Sequence, residues 1–312
     1  MQCIVWMADA GAEVMLLVSI NSLRRNARAF WGSAVKLVLD FGLTSPVAAF
    51  LGTLVTEHLY CAPVPLPPPH SVAGGDPHGG IGVMRRRVEV MTLAPAVCSS
   101  VGVQPSGYIV CDADTVFLRP LDDFVFPSHT DQITIMREWD LRNGREEPML
   151  MCRRSSFTEP YPLDVAIARA AAHLDIDEQD LRAIPTFNTG VVGFAAGTDL
   201  SGVWSECYDD LRSVLHDDGA PVFSPYAIEQ NAMSICLSRN IIRHNPLDRS
   251  FNQFPPRAPH GWPAETAIAH FISFRNSCSE ARYALWFESA RVAMQDEWLP
   301  EPLRRRVASN LR

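Results

Sequence analysis

The chain has 312 residues, 47% hydrophobic and 20% charged, a balance typical of a globular protein with one large domain or two small ones. Its net charge of −8 excludes a broad basic surface and general nucleic-acid binding, so an anionic ligand has to be held locally, by a metal or a few arginines. None of the eight cysteines forms a C-x-x-C pair, no apolar run is long enough to cross a bilayer and no secretion leader is visible, so the expectation is a cytoplasmic protein with reduced thiols.

In chain order, "CIVWMA" (3–8) reads as a buried strand, and "VMLLVSINSLRRN" (14–26) as a helix with basic residues at its C-terminus. "AVKLVLDFG" (34–42) is a second strand, while "TLVTEHLYC" (53–61) fits helix and strand equally. The Pro/Gly-rich stretch 62–82 forms no regular element; it is a surface loop, or a mobile lid or acceptor loop. "VMRRRVEVMTLAPAVCSSV" (83–101) is a helix interrupted near Pro95. Strands follow at "YIVC" (108–111) and "QITIMR" (132–137), a helix at 164–174, and a strand at "VVGF" (191–194). The stretch 198–219 is a helix capped by Thr198 or Asp199 and stopped by Gly219, and 224–240 is one capped by Ser224 with Pro225 in first position. "AIAHFISF" (267–274) is a late strand, and 279–312 is a helical tail broken at Pro300 and Pro302. Strands alternating with helices predict an α/β fold with a mainly parallel sheet, which binds ligands at the carboxyl ends of its strands.

The segment "YIVCDADTVFLRP" (108–120) puts chemistry at such an end. Carboxylates are almost never buried unpaired, so the strand has to end at Asp112. In extended chain, positions i and i+2 point the same way, which aims Asp112 and Asp114 at one object with small Ala113 between them. Two carboxylates that close repel unless a cation neutralises them, and a hard divalent metal is the simple answer. Three readings stay open: a bland acidic turn, the nucleophile and general acid of a haloacid-dehalogenase-type phosphatase, and the D-x-D pair of a GT-A glycosyltransferase. The phosphatase also needs a lysine, and the only one is Lys36, far upstream.

"PTFNTGVVGF" (185–194) reads locally as a polar turn, Asn188-Thr189-Gly190, entering a buried strand, with the glycine there for backbone freedom or for a ligand. A hydrophobic strand with "DADTV", followed later by "FNTGV", resembles glycosyltransferase family 8, the retaining nucleotide-diphospho-sugar transferases. That resemblance implies a GT-A fold, with a Rossmann-like mixed central sheet flanked by helices. It also implies transfer of a sugar from a nucleotide-sugar donor, most simply a UDP-sugar, to an acceptor hydroxyl on a carbohydrate, lipid or protein. By the same resemblance Asp112, Asp114 and His270 of "IAHFISFRN" are metal ligands for Mn²⁺ or Mg²⁺. Ala8 and Asp9 meet the nucleotide, Asp112 and Ala113 the donor, and Asn188, Thr189 and Gly190 the sugar. Gln230 and Glu229 of "AIEQNAMS" lie at the reacting carbon and the acceptor, and Arg86 and Arg275 are basic contacts to the donor. A front-side attack needs no enzyme nucleophile.

The resemblance covers about residues 1–276, so the expected organisation is a transferase domain at 1–278 and a helical extension at 279–312. Trp286, Phe287 and the basic end of that extension have three destinations: the domain itself, a second copy, or the inner face of a membrane as a peripheral contact.

Overall fold

In the first strand, β1 (Gln2–Ala8), Cys3, Val5 and Met7 point into one apolar core and Ile4, Trp6 and Ala8 into another. Such two-sided burial needs helices on both faces of the sheet. The chain supplies them, in a computed structural model that describes residues 1–66, 80–137, 139–140, 145–146, 163–215, 225–254, 262–271 and 280–309. After β1 come α1 (Glu13–Asn26), α2 (Arg28–Ser33), β2 (Val35–Asp40), α3 (Ser45–Gly52), a 3₁₀ turn (Thr53–Glu57) and β3 (Leu59–Pro63). The middle of the chain carries α4 (Gly80–Arg87), α5 (Val90–Ser100), β4 (Gly107–Asp112), β5 (Thr115–Phe117), β6 (Gln132–Arg137) and the short pair β7 (Trp139–Asp140) and β8 (Arg145–Glu146). Next are α6 (Leu163–Leu174), α7 (Glu178–Ala183), β9 (Phe187–Ala195), α8 (Ser201–Leu215), α9 (Pro225–Ser238) and β10 (Arg243–Pro246). A 3₁₀ turn (Arg249–Phe251), β11 (Ile268–His270), α10 (Glu280–Gln295) and α11 (Glu301–Ser309) close the order.

The main sheet has seven strands in the order β10-β6-β9-β4-β1-β2-β3. Only β9 runs against its neighbours, β4 and β6, so the sheet is mixed but mainly parallel. The chain steps outward from β1 through β2 to β3 and then returns to lay β4 on the other side of β1. This reversal opens a crevice beyond the carboxyl ends of β1 and β4, where open α/β sheets bind ligands. The helices α1, α2, α3, α10 and α11 cover one face, and α4, α5, α6, α8 and α9 the other.

The tail helices close over α1. Asp296 accepts a hydrogen bond from Asn21 Nδ2 at 3.0 Å and pairs with Arg24 and Arg25. Trp298 meets Trp31 and Phe50 edge-on at 6.0 and 5.1 Å, with the Arg24 guanidinium over its ring. The indole N–H groups of Trp31 and Trp298 both donate to Glu57, at 3.1 and 3.3 Å. Trp286 is 1% exposed and belongs to the same core, with half-buried Phe287 against it, so Trp286 packs on the domain and has no surface to offer a bilayer. Among the described residues no helix is long and apolar enough to cross a membrane.

Several elements differ from their sequence reading. The stretch 53–61 is both things at once: a 3₁₀ turn and a strand, divided at His58, whose φ of 56° stops the helix. The helix at 83–101 breaks at residues 88–89, not at Pro95, which sits inside α5 and costs it only the bond to the Met91 carbonyl. The helix expected from Thr198 starts at Ser201, and Asp199 instead accepts from Thr92 Oγ1. The strand at 191–194 extends back to Phe187, and the late strand comprises Ile268–His270 among the described residues, with 272–274 outside them. The tail breaks before Pro300, and Pro302 lies in the first turn of α11, where its missing N–H is no loss. Ser224, Gly219 and most of the Pro/Gly stretch lie outside the described residues.

A candidate metal and sugar-nucleotide site

Asp112 is the last residue of β4 and lies beside Met7 of β1, at the mouth of the crevice. The chain then turns sharply into β5. Thr115 Oγ1 ties the turn by donating to the Asp112 carbonyl at 2.7 Å, and Ser19 of α1, which accepts from the Trp6 indole, lies 3.1 Å from the same hydroxyl. β5 pairs antiparallel with β11, in a register that sets His270 opposite Thr115. The Phe271 N–H donates to the Asp114 carbonyl at 3.0 Å, so the short ladder delivers the His270 ring to the acidic turn. The result is a cluster in which one ligand atom from each of Asp112, Asp114 and His270 lies within 4.8 Å of the others. His270 Nε2 is 3.3 Å from Asp112 Oδ2 and 3.3 Å from Asp114 Oδ1.

Two features fit a divalent ion here. The donor set is two carboxylate oxygens and an imidazole nitrogen, which suits Mn²⁺ and Mg²⁺ with further oxygens from ligand and water. Asp114 Oδ1 is buried and has no hydrogen-bond partner, an arrangement that is costly unless a cation or donor completes it. Without an ion, burial alone would lower the His270 pKa, but the carboxylates of Asp114 and Asp112 outweigh it and hold the ring at about 9. The imidazolium then supplies the positive charge between the two acids.

Gly190 has a steric task. A β-carbon there would lie 2.0 Å from His270 Cε1, 2.4 Å from Nδ1 and 2.8 Å from Nε2. The residue lies in strand β9, not in a turn, and glycine is present because the imidazole rests against its backbone. β9 reaches this place because it runs antiparallel to β4, so its first residues flank the last ones of β4. Its register against β6 shifts between Ile135 and Met136, leaving Thr189 and Gly190 free of that ladder. Bulges of this kind are common beside functional sites.

Of the three consecutive arginines, Arg87 is the one in contact with Asp112 of the cluster. Arg86 pairs with Glu89 and donates to the Pro65 carbonyl at 2.9 Å, and Arg85 pairs with Glu89 and Asp209. Arg87 is buried and spends its three faces on the site: Nη1 on Asp112 Oδ1, Nη2 on the Thr189 carbonyl and Nε on Glu229 Oε1 at 3.2 Å. It holds one Asp112 oxygen and leaves Oδ2 toward His270. Burial alone would raise the Asp112 pKa, but Arg87 and His270 outweigh it and hold the carboxyl below its usual range. The signal that would have found Arg87 is helical spacing. It lies three and four positions after Met84 and Val83, both buried, so it shares their inward face.

Glu229 is 2% exposed and turned inward, with Thr189 Oγ1 donating to its Oε2 at 2.9 Å. Burial lifts its pKa to about 7 despite the opposing charge of Arg87. Next to it on α9, Gln230 is half-buried, and its carbonyl accepts from Ser234 Oγ. Asn188 is also buried, and its Oδ1 serves the protein itself by accepting from the Gly190 N–H and from Asn252 Nδ2, both at 2.9 Å. Asn252, fully buried, was not singled out from the sequence. Ala8 ends β1 with its carbonyl engaged by the Phe41 N–H, and Asp9 caps the following turn by accepting from the Gly11 and Ala12 N–H groups. Ala113 is buried between the two acids. Arg275 lies outside the described residues.

Among solved structures, the chain is similar to the galactosyltransferase LgtC in complex with donor and acceptor sugar analogs, at 13% identity over 97% of this chain and 99% of that one, with a TM-score of 0.54. An active-site mutant of LgtC matches at 13% identity over the same shares, with a TM-score of 0.56. The apo bifunctional glycosyltransferase WbbM matches at 13% identity and a TM-score of 0.56 over 97% of this chain but 51% of its own length. No protein-family model matches the chain, and no curated protein sequence does. With its strand order, its switch-point crevice and these likenesses along almost the whole length, the chain has the GT-A fold.

Proposed function

We propose that the chain is a metal-dependent glycosyltransferase that moves a sugar from a nucleotide-sugar donor, most simply a UDP-sugar, to an acceptor hydroxyl. The observation that carries this reading is the Asp112-Asp114-His270 cluster at the switch point of a GT-A sheet. Mn²⁺ or Mg²⁺ held there would neutralise charge on the departing diphosphate. Asp112, Asp114 and His270 would hold the ion, and Arg87 fixes Asp112. Ala8 and Asp9, at the end of β1, border the nucleotide, and Ala113 lets the donor approach between the acids. Thr189 and Gly190 face the sugar side of the crevice, with Arg275 as a further contact to the donor. Gln230 lies beside the reacting carbon, and Glu229, turned inward, supports Arg87 and Thr189. The bond from the anomeric carbon to the diphosphate oxygen breaks, one to the acceptor oxygen forms on the same face, and the proton of the acceptor hydroxyl passes to the departing diphosphate oxygen. The acceptor is of the carbohydrate class, on a free, lipid-linked or protein-linked glycan.

A phosphatase using Asp112 as nucleophile lacks its lysine. Lys36 is buried near the start of β2, and its ammonium donates to the Trp31 and Ala34 carbonyls at 2.6 and 2.9 Å. From Lys36 to Asp40, at the crevice end of the strand, is about 13 Å of extended chain. The test is release of the nucleotide (UDP, GDP or CMP) from UDP-, GDP- and CMP-sugars, with and without Mn²⁺, for the wild-type chain and Asp114→Ala. Mn²⁺-dependent release that the substitution abolishes, with the melting temperature kept, supports the reading. Hydrolysis of phosphomonoesters, or donor binding without any turnover, refutes it.

A further inference from the structure

A neutral histidine offers a metal only the nitrogen that carries no proton, and which nitrogen that is depends on what the other one meets. At His270 the answer can be traced back to a main-chain group that has no choice. The Gly190 N–H is a donor and points at Asn188 Oδ1, 2.9 Å away, so that atom is the amide oxygen and an acceptor. Asn252 presents its other neighbour to the same oxygen, also at 2.9 Å, and this must be its NH₂. The remaining end of the Asn252 amide, Oδ1, therefore faces His270 Nδ1 at 2.9 Å, and an oxygen there requires Nδ1 to carry a hydrogen. Both asparagines and the histidine are at most 3% exposed, so water does not compete for these bonds. An amide flip at either asparagine would set oxygen against oxygen or N–H against N–H.

We propose that Asn252 is a positioning residue which, through Asn188, fixes neutral His270 as its Nδ1–H tautomer and so turns the Nε2 lone pair toward Asp112 and Asp114 as the nitrogen ligand of the divalent ion. The inference rests on the metal reading of that cluster. It also gives Asn188 a role distinct from contact with the donor sugar: its side-chain oxygen is consumed in orienting Asn252. The device spans three separate parts of the chain, since Asn188 and Asn252 are 64 residues apart and Asn252 and His270 are 18 apart.

The test uses the full chain with Mn²⁺ and a nucleoside diphosphate, and reads two quantities other than turnover. One is the Mn²⁺ dissociation constant from the free-ion EPR signal. The other is the electron spin-echo modulation that a directly bound imidazole nitrogen imposes on Mn²⁺. The variants are Asn252→Leu, which keeps the volume and removes the acceptor, and Asn252→Asp, which keeps an oxygen at Nδ1. Asn252→Leu is expected to bind Mn²⁺ about 10- to 100-fold more weakly, as loss of an outer partner of a metal-bound histidine does, and to lose the nitrogen modulation. Asn252→Asp is expected to lose stability, because its second oxygen meets Asn188 Oδ1, but to retain the modulation, a rescue that a packing role would not produce. Should the leucine variant not fold, Asn252→Ser, whose hydroxyl falls short of the ring, provides the same contrast. Wild-type affinity and unchanged nitrogen modulation in a folded leucine or serine variant overturn the inference alone. A wild-type chain that binds no Mn²⁺ overturns the metal reading and this inference with it.

Discussion

Replacing Gly190 with alanine adds a single methyl group, yet its consequences can be worked out from three distances. The new carbon would start 2.0 Å from His270 Cε1, 2.4 Å from Nδ1 and 2.8 Å from Nε2. Non-bonded carbons rest about 3.5–4.0 Å apart, so the ring has to retreat by about 1.5 Å. Its retreat is obstructed: Phe254 lies 5.6 Å away between centroids, and the bond from Nδ1 to Asn252 ties the ring down. Strand β9 is no freer, being paired with β4 at Val191. Metal–ligand distances tolerate only about 0.2 Å, so a displaced Nε2 no longer coordinates. Gly190→Ala is therefore expected to weaken Mn²⁺ binding at least 10- to 100-fold, equivalent to about 1.4–2.7 kcal/mol. It should also lower stability by about 1–3 kcal/mol through overpacking. Isothermal titration with Mn²⁺ in the presence of UDP, together with urea unfolding, measures both. An alanine variant that binds Mn²⁺ within threefold of wild type and unfolds at the same urea concentration would refute the claim that His270 rests on this backbone.

Two further substitutions probe the charges around the cluster. Arg87→Met strands Glu229, whose side chain is 3% exposed, and removes the ion pair to Asp112; breaking a buried pair from one side costs about 3–5 kcal/mol in urea unfolding. The double variant with Glu229→Gln should recover part of that loss, and no recovery would mean that Arg87 stabilises through packing alone. In the tail, burial pushes the Asp296 carboxyl up, but Asn21, the Trp298 N–H and Arg24 outweigh it and hold it at about 2. Its folded pKa lies below the unfolded value, so its contribution is present above about pH 4 and is lost as pH falls toward 2. With allowance for solvent screening the contribution is about 1 kcal/mol. The stability gap between wild type and Asp296→Asn should narrow from pH 5 to pH 3, and a constant gap would refute the assignment.

Much of the framework was legible because it rests on local rules. Runs such as "CIVWMA" and "YIVC" can be buried on both faces only as inner strands, and the acids after Cys111 mark where such a strand ends. The helix at 14–26 announces itself by spacing and that at 164–174 by its alanines. What stayed hidden depends on partners distant in sequence. Three consecutive arginines differ by about 100° each around a helix, and only the spacing from buried Val83 and Met84 marks Arg87 as the one turned inward. Asn188-Thr189-Gly190 looks like a turn because its residues are polar, but they lie in a strand, satisfied by Asn252, Glu229 and His270. Asn252 itself, in "RSFNQF", has no local pattern to betray it. The ladder that presents His270 is three residues long, too short for periodicity to register.

The bond from Asn21 to Asp296 joins residues separated by 275 positions, and Arg24 reaches the same carboxylate. Helix α1 therefore keeps part of its surface bare until the segment around Asp296 has been made. Long-range closures of this sort slow the search for the native state and leave apolar surface waiting in the meantime. Nascent chains halted before Trp298 should for this reason depend on chaperones, whereas chains that include Asp296 and Trp298 can cover α1 themselves.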